Sequence, residues 1–149
     1  MRAVVQRVSR ASVTVEGGTT GSIGLGLMVL VGVGHDDDRA SAEALAHKLL
    51  KLRIFEDDDG RMNLDVGQVH GDVLAISQFT LFGDCRKGRR PSFVAAGRPE
   101  HAEPLFDHLV HTIRQQGFSC PTGVFGAMMD VDLVNHGPIT LLIDTDKTF

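Results

Sequence analysis

Apolar and polar residues partly alternate along residues 3–8 and 12–15, and both stretches are rich in valine. That pattern predicts extended chain with one buried face. Glu16-Gly17-Gly18 is a turn signal ahead of a shorter extended piece over 19–23, and Gly24-Leu25-Gly26 is another. Residues 27–33 are almost continuously apolar and predict a buried strand, because Gly32 and Gly34 weigh against a helix. The period then changes. Over 39–52, Ala42, Leu45, Ala46, Leu49 and Leu50 fall on one face of a 3.6-residue repeat, with Asp38 or Ser41 placed to cap it. Ala102, Leu105, Phe106, Leu109, Val110 and Ile113 repeat the spacing. Pro99 and Pro104 stand near the start of this second helix and Gly117 near its end, so regular helix is predicted from about Glu100. Asp59-Gly60 marks a hairpin turn, and 73–77 is a further apolar strand. Two last strands, 131–134 and 139–143, are separated by Asn135-His136-Gly137-Pro138. Many strands with two separated helices, and no regular βαβ alternation, predict an α+β fold. The expected form is a mostly antiparallel β-sandwich or barrel with the helices packed outside.

The 149 residues fit one domain spanning 1–149, with no linker, repeat or low-complexity tract. There is no Trp or Tyr, so eight Phe residues supply all the aromatic surface. The net charge of −4 argues against a protein that grips long nucleic acid along its length, and confines any such contact to a local patch or a strand end. Arg7 interrupts the opening apolar run too early for a signal peptide. The apolar run at 27–33 is far below the roughly 20 residues of a membrane span. Cys85 and Cys120 have no metal-binding spacing. A cytoplasmic chain with reduced thiols and no membrane contact is expected.

The candidate chemistry is sparse. Gly34-His35-Asp36-Asp37-Asp38 and Asp57-Asp58-Asp59-Gly60 lack the alternating ligands of a calcium loop, and serve as caps and turns. His108 and His111 are three apart on a helix, but a third metal ligand is missing. No phosphate-binding, dinucleotide or serine-hydrolase motif occurs, so neither metal nor cofactor is expected. Arg86-Lys87-Gly88-Arg89-Arg90 is the one dense basic cluster, either a phosphate contact or an exposed charged loop. Ser77-Gln78-Phe79-Thr80 closes a buried strand. Ser77 or Thr80 can act as a nucleophile only with a base in reach, and none lies nearby in sequence. Otherwise these hydroxyls bond within the fold. Gly137-Pro138 reads as a turn in the trans form, since only about 5–6% of folded X–Pro bonds are cis.

Taken together, five blocks resemble the D-aminoacyl-tRNA deacylase family. They are Met1-Arg2-Ala3-Val4-Val5-Gln6-Arg7-Val8, Ser77-Gln78-Phe79-Thr80, Arg90-Pro91-Ser92-Phe93, Gly123-Val124-Phe125-Gly126-Ala127-Met128-Met129 and Asn135-His136-Gly137-Pro138-Ile139-Thr140. They keep the family's order from residue 1 to about 144. His136, where an acid is common, and Leu105-Phe106, where a Tyr is common, depart from the pattern.

The resemblance implies hydrolysis of the ester at the aminoacylated 3′ end of tRNA, by a homodimer with two sites at the subunit interface. It implies that Gly137-Pro138 is cis after all and enters the partner's pocket, with its carbonyl oxygens facing the substrate's α-amino group. A D side chain then points to open space and an L side chain into backbone. Glycine has no side chain to exclude, so glycine mischarged on alanine tRNA is also expected to be cleaved. Phe79 and Thr80 would supply backbone N–H donors, and Ser77 and Gln78 would shape the pocket. Phe125, Met128 and Met129 would line the adenine side or simply belong to the core, and Arg7 would brace the Gly-Pro loop. Two mechanisms stay open: water attack assisted by the terminal 2′-hydroxyl, and an acyl-enzyme on Thr80. Two other functions remain in view. One is a nucleic-acid-binding module using residues 86–90; related eukaryotic chains carry added tails for that role, and this chain ends at Phe149 without a basic extension. The other is a different small-ester hydrolase on the same fold.

Overall fold

β1 (Arg2–Val15) is one strand where the residue pattern predicts two. In the computed structural model, which describes residues 1–149, its inward-facing positions change phase near Arg7. Ala3 and Val5 join one core cluster, and Val8, Ala11 and Val13 join another. The strand survives the polar Ser9-Arg10 stretch because neighbours pair with it on both edges. β2 (Gly18–Ile23) and β3 (Gly26–Gly32) pair antiparallel with its second and first halves respectively.

α1 (Arg39–Leu50) begins at Asp38, which forms a capping box with Ser41. It buries Ala42, Leu45, Ala46, Leu49 and Leu50, the predicted stripe. A small hairpin of β4 (Phe55–Glu56) and β5 (Met62–Leu64) turns at Asp57–Gly60, where Asp57 accepts the N–H groups of Asp59 and Arg61 at 3.0 Å each. β6 (Asp72–Ser77) then runs parallel to β3. This pair is the exception to the antiparallel expectation, and α1 lies in the connection between the two strands. The two strands close tightly at Gly26, where an added Cβ would sit 2.0 Å from the Asp72 carbonyl oxygen.

α2 (Pro99–Gln115) starts one residue earlier than predicted, with Pro99 in its first turn, where a missing N–H is free of cost. Its six predicted stripe residues are all buried, together with Thr112. β7 (Asp130–Asp144) is continuous where two strands were predicted. It follows the remaining edge of β1 antiparallel, but Gln6 faces Thr140 while Val8 faces Asn135. Residues 136–139 are therefore an extruded bulge opposite Arg7, and the Gly-Pro segment leaves the ladder without ending the strand.

The result is a curled, mixed sheet with both helices on one side. Odd-numbered residues of β3 and β6, such as Val29, Val31, Val73 and Ala75, face the helices. Even-numbered Met28, Leu74 and Ile76 face the second halves of β1 and β2. Burial on both faces explains why β3 and β6 are near-continuous apolar runs. Asp37 departs from the capping role expected of its run. It is buried, accepts the Gly34 N–H at 2.7 Å and pairs with the Met1 ammonium group.

Candidate active site

β6 delivers Ser77 to the edge of the core, and the chain turns at once into a 3₁₀ turn over Phe79–Phe82. The first bond of that turn runs from Leu81 N–H to the Gln78 carbonyl at 3.3 Å. The N–H groups of Phe79 and Thr80 lie ahead of it and have no partner inside the turn. Gln78 Nε2 donates to the Thr80 hydroxyl. Phe79 is 58% exposed and meets Phe93 edge-on, with ring centroids 5.1 Å apart.

These residues open onto a cavity of about 820 Å³. It is lined by Val31 and Ile76 near the ends of β3 and β6, by Val33 just beyond β3, by Ala102 and Phe106 from α2, and by Phe125 to Met129 and Val131. Ser77, Gln78, Phe79, Thr80, Phe125, Met128 and Met129 all line it, so seven of the predicted site residues converge from two distant segments. Phe125 leans on Phe106, centroids 6.3 Å apart, and Met129 packs against the smaller core cluster. A plain core role does not describe Met128, which is 91% exposed at the mouth. The lining includes no Asp, Glu, His, Lys or Arg.

Gly137, Pro138 and Arg7 do not line this cavity. The Gly137–Pro138 peptide is cis, in place of the default trans turn, and both residues are exposed at the surface of the single chain. Arg7 is almost wholly buried beneath them. Its Nε donates to the His136 carbonyl at 3.0 Å, its guanidinium donates to the Ile54 carbonyl at 2.8 Å, and Glu56 lies 3.5 Å away. Gly137 has φ of +123°, and a Cβ there would stand 2.8 Å from the Arg7 guanidinium.

The histidines of α2 form no metal site: His108 instead pairs with Glu43 of α1 at 2.8 Å. Both cysteines are free, Cys85 exposed and Cys120 buried. No helix is long and apolar enough to cross a membrane. Residue patterning gave Phe93, Ala96 and Gly97 no place in the site, yet they line the cavity just ahead of Pro99 at the start of α2. They come from an irregular segment without period, where only the Pro-Ser-Phe block gave a signal.

The family model described as D-Tyr-tRNA(Tyr) deacylase matches residues 4–144. The chain belongs to that family. It is 61% identical over 149 residues to the D-aminoacyl-tRNA deacylase of Koribacter versatilis, covering all of both chains. It is 53% identical over 147 residues to the one of Thermus aquaticus, covering 99% of this chain and 97% of that one. Among solved structures, a c-Myc DNA unwinding element binding protein superposes with TM-score 0.91 at 38% identity, covering 97% of this chain and 99% of that one. A probable eukaryotic D-amino acid tRNA deacylase shares the fold, with TM-score 0.82 at 18% identity over 95% and 97% of the two chains. Membership in the family makes the chain a hydrolase and agrees with the α+β architecture.

Proposed function

We propose that this chain removes D-amino acids, and glycine mischarged on alanine tRNA, by hydrolysing their ester to the 3′-terminal adenosine of tRNA in the cytoplasm. The observation that carries the mechanism is a cavity lined by Phe79 and Thr80, whose N–H groups the 3₁₀ turn leaves without partners, and by no acidic, basic or imidazole side chain. Such a site offers placement and a polarised carbonyl, but no general base of its own. The substrate's 2′-hydroxyl then assists the attacking water. The Thr80 hydroxyl is engaged by the Gln78 amide, which is no base, and this counts against an acyl-enzyme. Ser77 and Gln78 shape the pocket, and Phe125, Met128 and Met129 offer an apolar face on which adenine stacks.

Selection by handedness is assigned to a homodimer in which Gly137 and Pro138 of one protomer enter the cavity of the other. Their exposure and their separation from their own cavity support that reading. Main-chain carbonyls that hold the α-amino group fix two directions of the α-carbon. An L side chain then meets backbone, a D side chain meets open space, and glycine passes. A steric block of this kind exceeds the roughly 1–3 kcal/mol available from sizing a methylene.

The test is incubation with D-tyrosyl-tRNA and L-tyrosyl-tRNA. Loss of the D-ester alone supports the proposal, and equal loss of both makes the chain an unselective esterase. Retarded nucleic acid without cleavage would favour a binding module instead, the role in the name of the 38%-identical structural relative. Cleavage that persists on a 2′-deoxy terminal adenosine would exclude the assisted mechanism.

A further inference from the structure

The basic cluster lies in a loop with a fixed base, whose two ends adjoin residues that line the cavity. Asp84 and Ser92 exchange two main-chain bonds, 2.7 and 2.9 Å, which close the intervening segment into a loop. One end of that loop continues directly from the turn carrying Phe79 and Thr80, through a bond from Gly83 N–H to the Thr80 carbonyl at 2.9 Å. The other end is followed at once by Phe93, which lines the cavity and meets Phe79. At the tip, Gly88 has φ of +73°, the left-handed conformation that turns the chain back with open space around it.

The four cations of residues 86–90 are not equivalent. Arg86 is spent within the loop, its guanidinium gripping Asp84 through two bonds of 2.9 and 2.6 Å. Lys87, Arg89 and Arg90 are exposed and enter no ion pair. Three unpaired cations side by side repel one another. In a chain of net charge −4 they mark a place where an anion completes the surface.

We infer that Lys87, Arg89 and Arg90 hold the phosphodiester backbone of the RNA whose 3′ end occupies the cavity, so that this loop binds the tRNA strand while the cavity binds the aminoacyl-adenosine. The inference rests on the proposed substrate and names where its polyanionic part lies. The loop springs from the Thr80 turn at one end and leads into Phe93 at the other, both of which line the cavity, so its cations are tethered within a few residues of that site. Terminal phosphates of a strand ending in that cavity are tethered to the same site. A local patch of this kind resolves the conflict between an acidic protein and a nucleic-acid substrate.

Lys87→Gln, Arg89→Gln and Arg90→Gln are combined in one variant and compared with wild type on D-tyrosyl-tRNA and on D-tyrosyl-adenosine, which has no backbone phosphate. The variant is expected to raise KM for the tRNA substrate by roughly tenfold or more at physiological salt, with kcat retained. The slope of log affinity against log salt is expected to fall by about 2–3, from three lost phosphate contacts. Turnover of the adenosine ester is expected to match wild type. Restoring the charges as Lys87→Arg, Arg89→Lys and Arg90→Lys is expected to restore the KM. An unchanged KM and salt slope on tRNA would overturn the inference, as would an equal loss on both substrates. Anisotropy of labelled, uncharged tRNA reads the loop independently of catalysis. If wild type cleaves neither ester yet loop-dependent tRNA binding persists, the proposed reaction fails and the RNA contact stands. If duplex DNA of equal length binds as tightly and with the same loop dependence, the assignment to an RNA strand is wrong.

Discussion

Cys120 and Cys85 carry the same thiol in opposite surroundings. Burial pushes Cys120 from its ordinary 9.0 up to about 11, while Cys85 lies exposed beside the basic loop. A thiol reagent at pH 8 is expected to modify Cys85 quickly and Cys120 only after unfolding, read as one fast equivalent and one slow one. The folded chain keeps the Cys120 proton to higher pH than the unfolded chain does. Its contribution to stability is therefore whole below about 9 and is lost as pH rises through about 11. Urea midpoints measured across that window are expected to fall, and to fall less in Cys120→Ala. At the active site, Thr80→Ala is expected to retain near-normal turnover of D-tyrosyl-tRNA, since only the main chain of Thr80 is assigned a role. A loss beyond about a hundredfold, on the scale of a removed catalytic group, would revive the acyl-enzyme. Much of this residue-level detail was legible in sequence. Ser77 to Thr80 and Phe125 to Met129 were singled out and do meet in one cavity. Asp37 was not, because its partners are the Gly34 N–H and a group 36 residues away, and no local pattern reports the second contact.

The periodic helices and the apolar runs of β3 and β6 are legible in the sequence, whereas the continuity of β1 and β7 and the parallel pairing of β3 with β6 are not. The stripes of α1 and α2 are local geometry, so every predicted core position is buried. The continuity of β7 depends instead on β1. Asn135-His136-Gly137-Pro138 looks like a break because proline cannot donate to a ladder, yet the ladder closes again on the far side of the bulge. The parallel pairing of β3 with β6 is likewise a matter of how α1 crosses over, which apolar runs alone do not encode. Arg7 is what the bulge rests on, through the His136 and Ile54 carbonyls. Arg7→Ala leaves both acceptors short of a donor in a nearly dry site. It is expected to cost about 2–4 kcal/mol in chemical denaturation. D-tyrosyl-tRNA cleavage is expected to fall further than this loss of stability explains. Arg7→Lys keeps the charge but cannot serve both carbonyls with a planar fork, so its activity is expected to lie near that of Arg7→Ala. Wild-type turnover in Arg7→Lys would mean that the bulge needs no such support.

At the scale of the whole molecule, the single chain leaves unfinished surface around its cavity. Met128 and Val131 line the mouth, Val124 is exposed just before that segment, Val134 and Leu142 project from β7, and Leu142 is 64% exposed. β7 is also a long unpaired edge, a feature that soluble proteins usually cover. A second copy that seats on this face would cover the apolar residues and give the Gly137–Pro138 bulge a cavity to enter. Sedimentation is expected to give twice the 16.1 kDa of the chain. Dimerisation alone does not show that sites are shared, but mixing two inactive proteins does. Gly137→Ala distorts the bulge, because φ is +123° and the new Cβ meets Arg7, while the cavity stays intact. Ala127→Trp fills the cavity and leaves the bulge intact. Each homodimer is expected to be inactive. After unfolding and refolding together in equal amounts, a mixed dimer pairs one sound cavity with the other chain's sound bulge. Random pairing in a two-fold dimer then restores about a quarter of wild-type sites. A cavity that used its own chain's bulge would gain nothing from mixing, since each chain carries one defect. Refolded mixtures as inactive as their parents, despite mixed dimers detected by mass, would therefore reject the shared site.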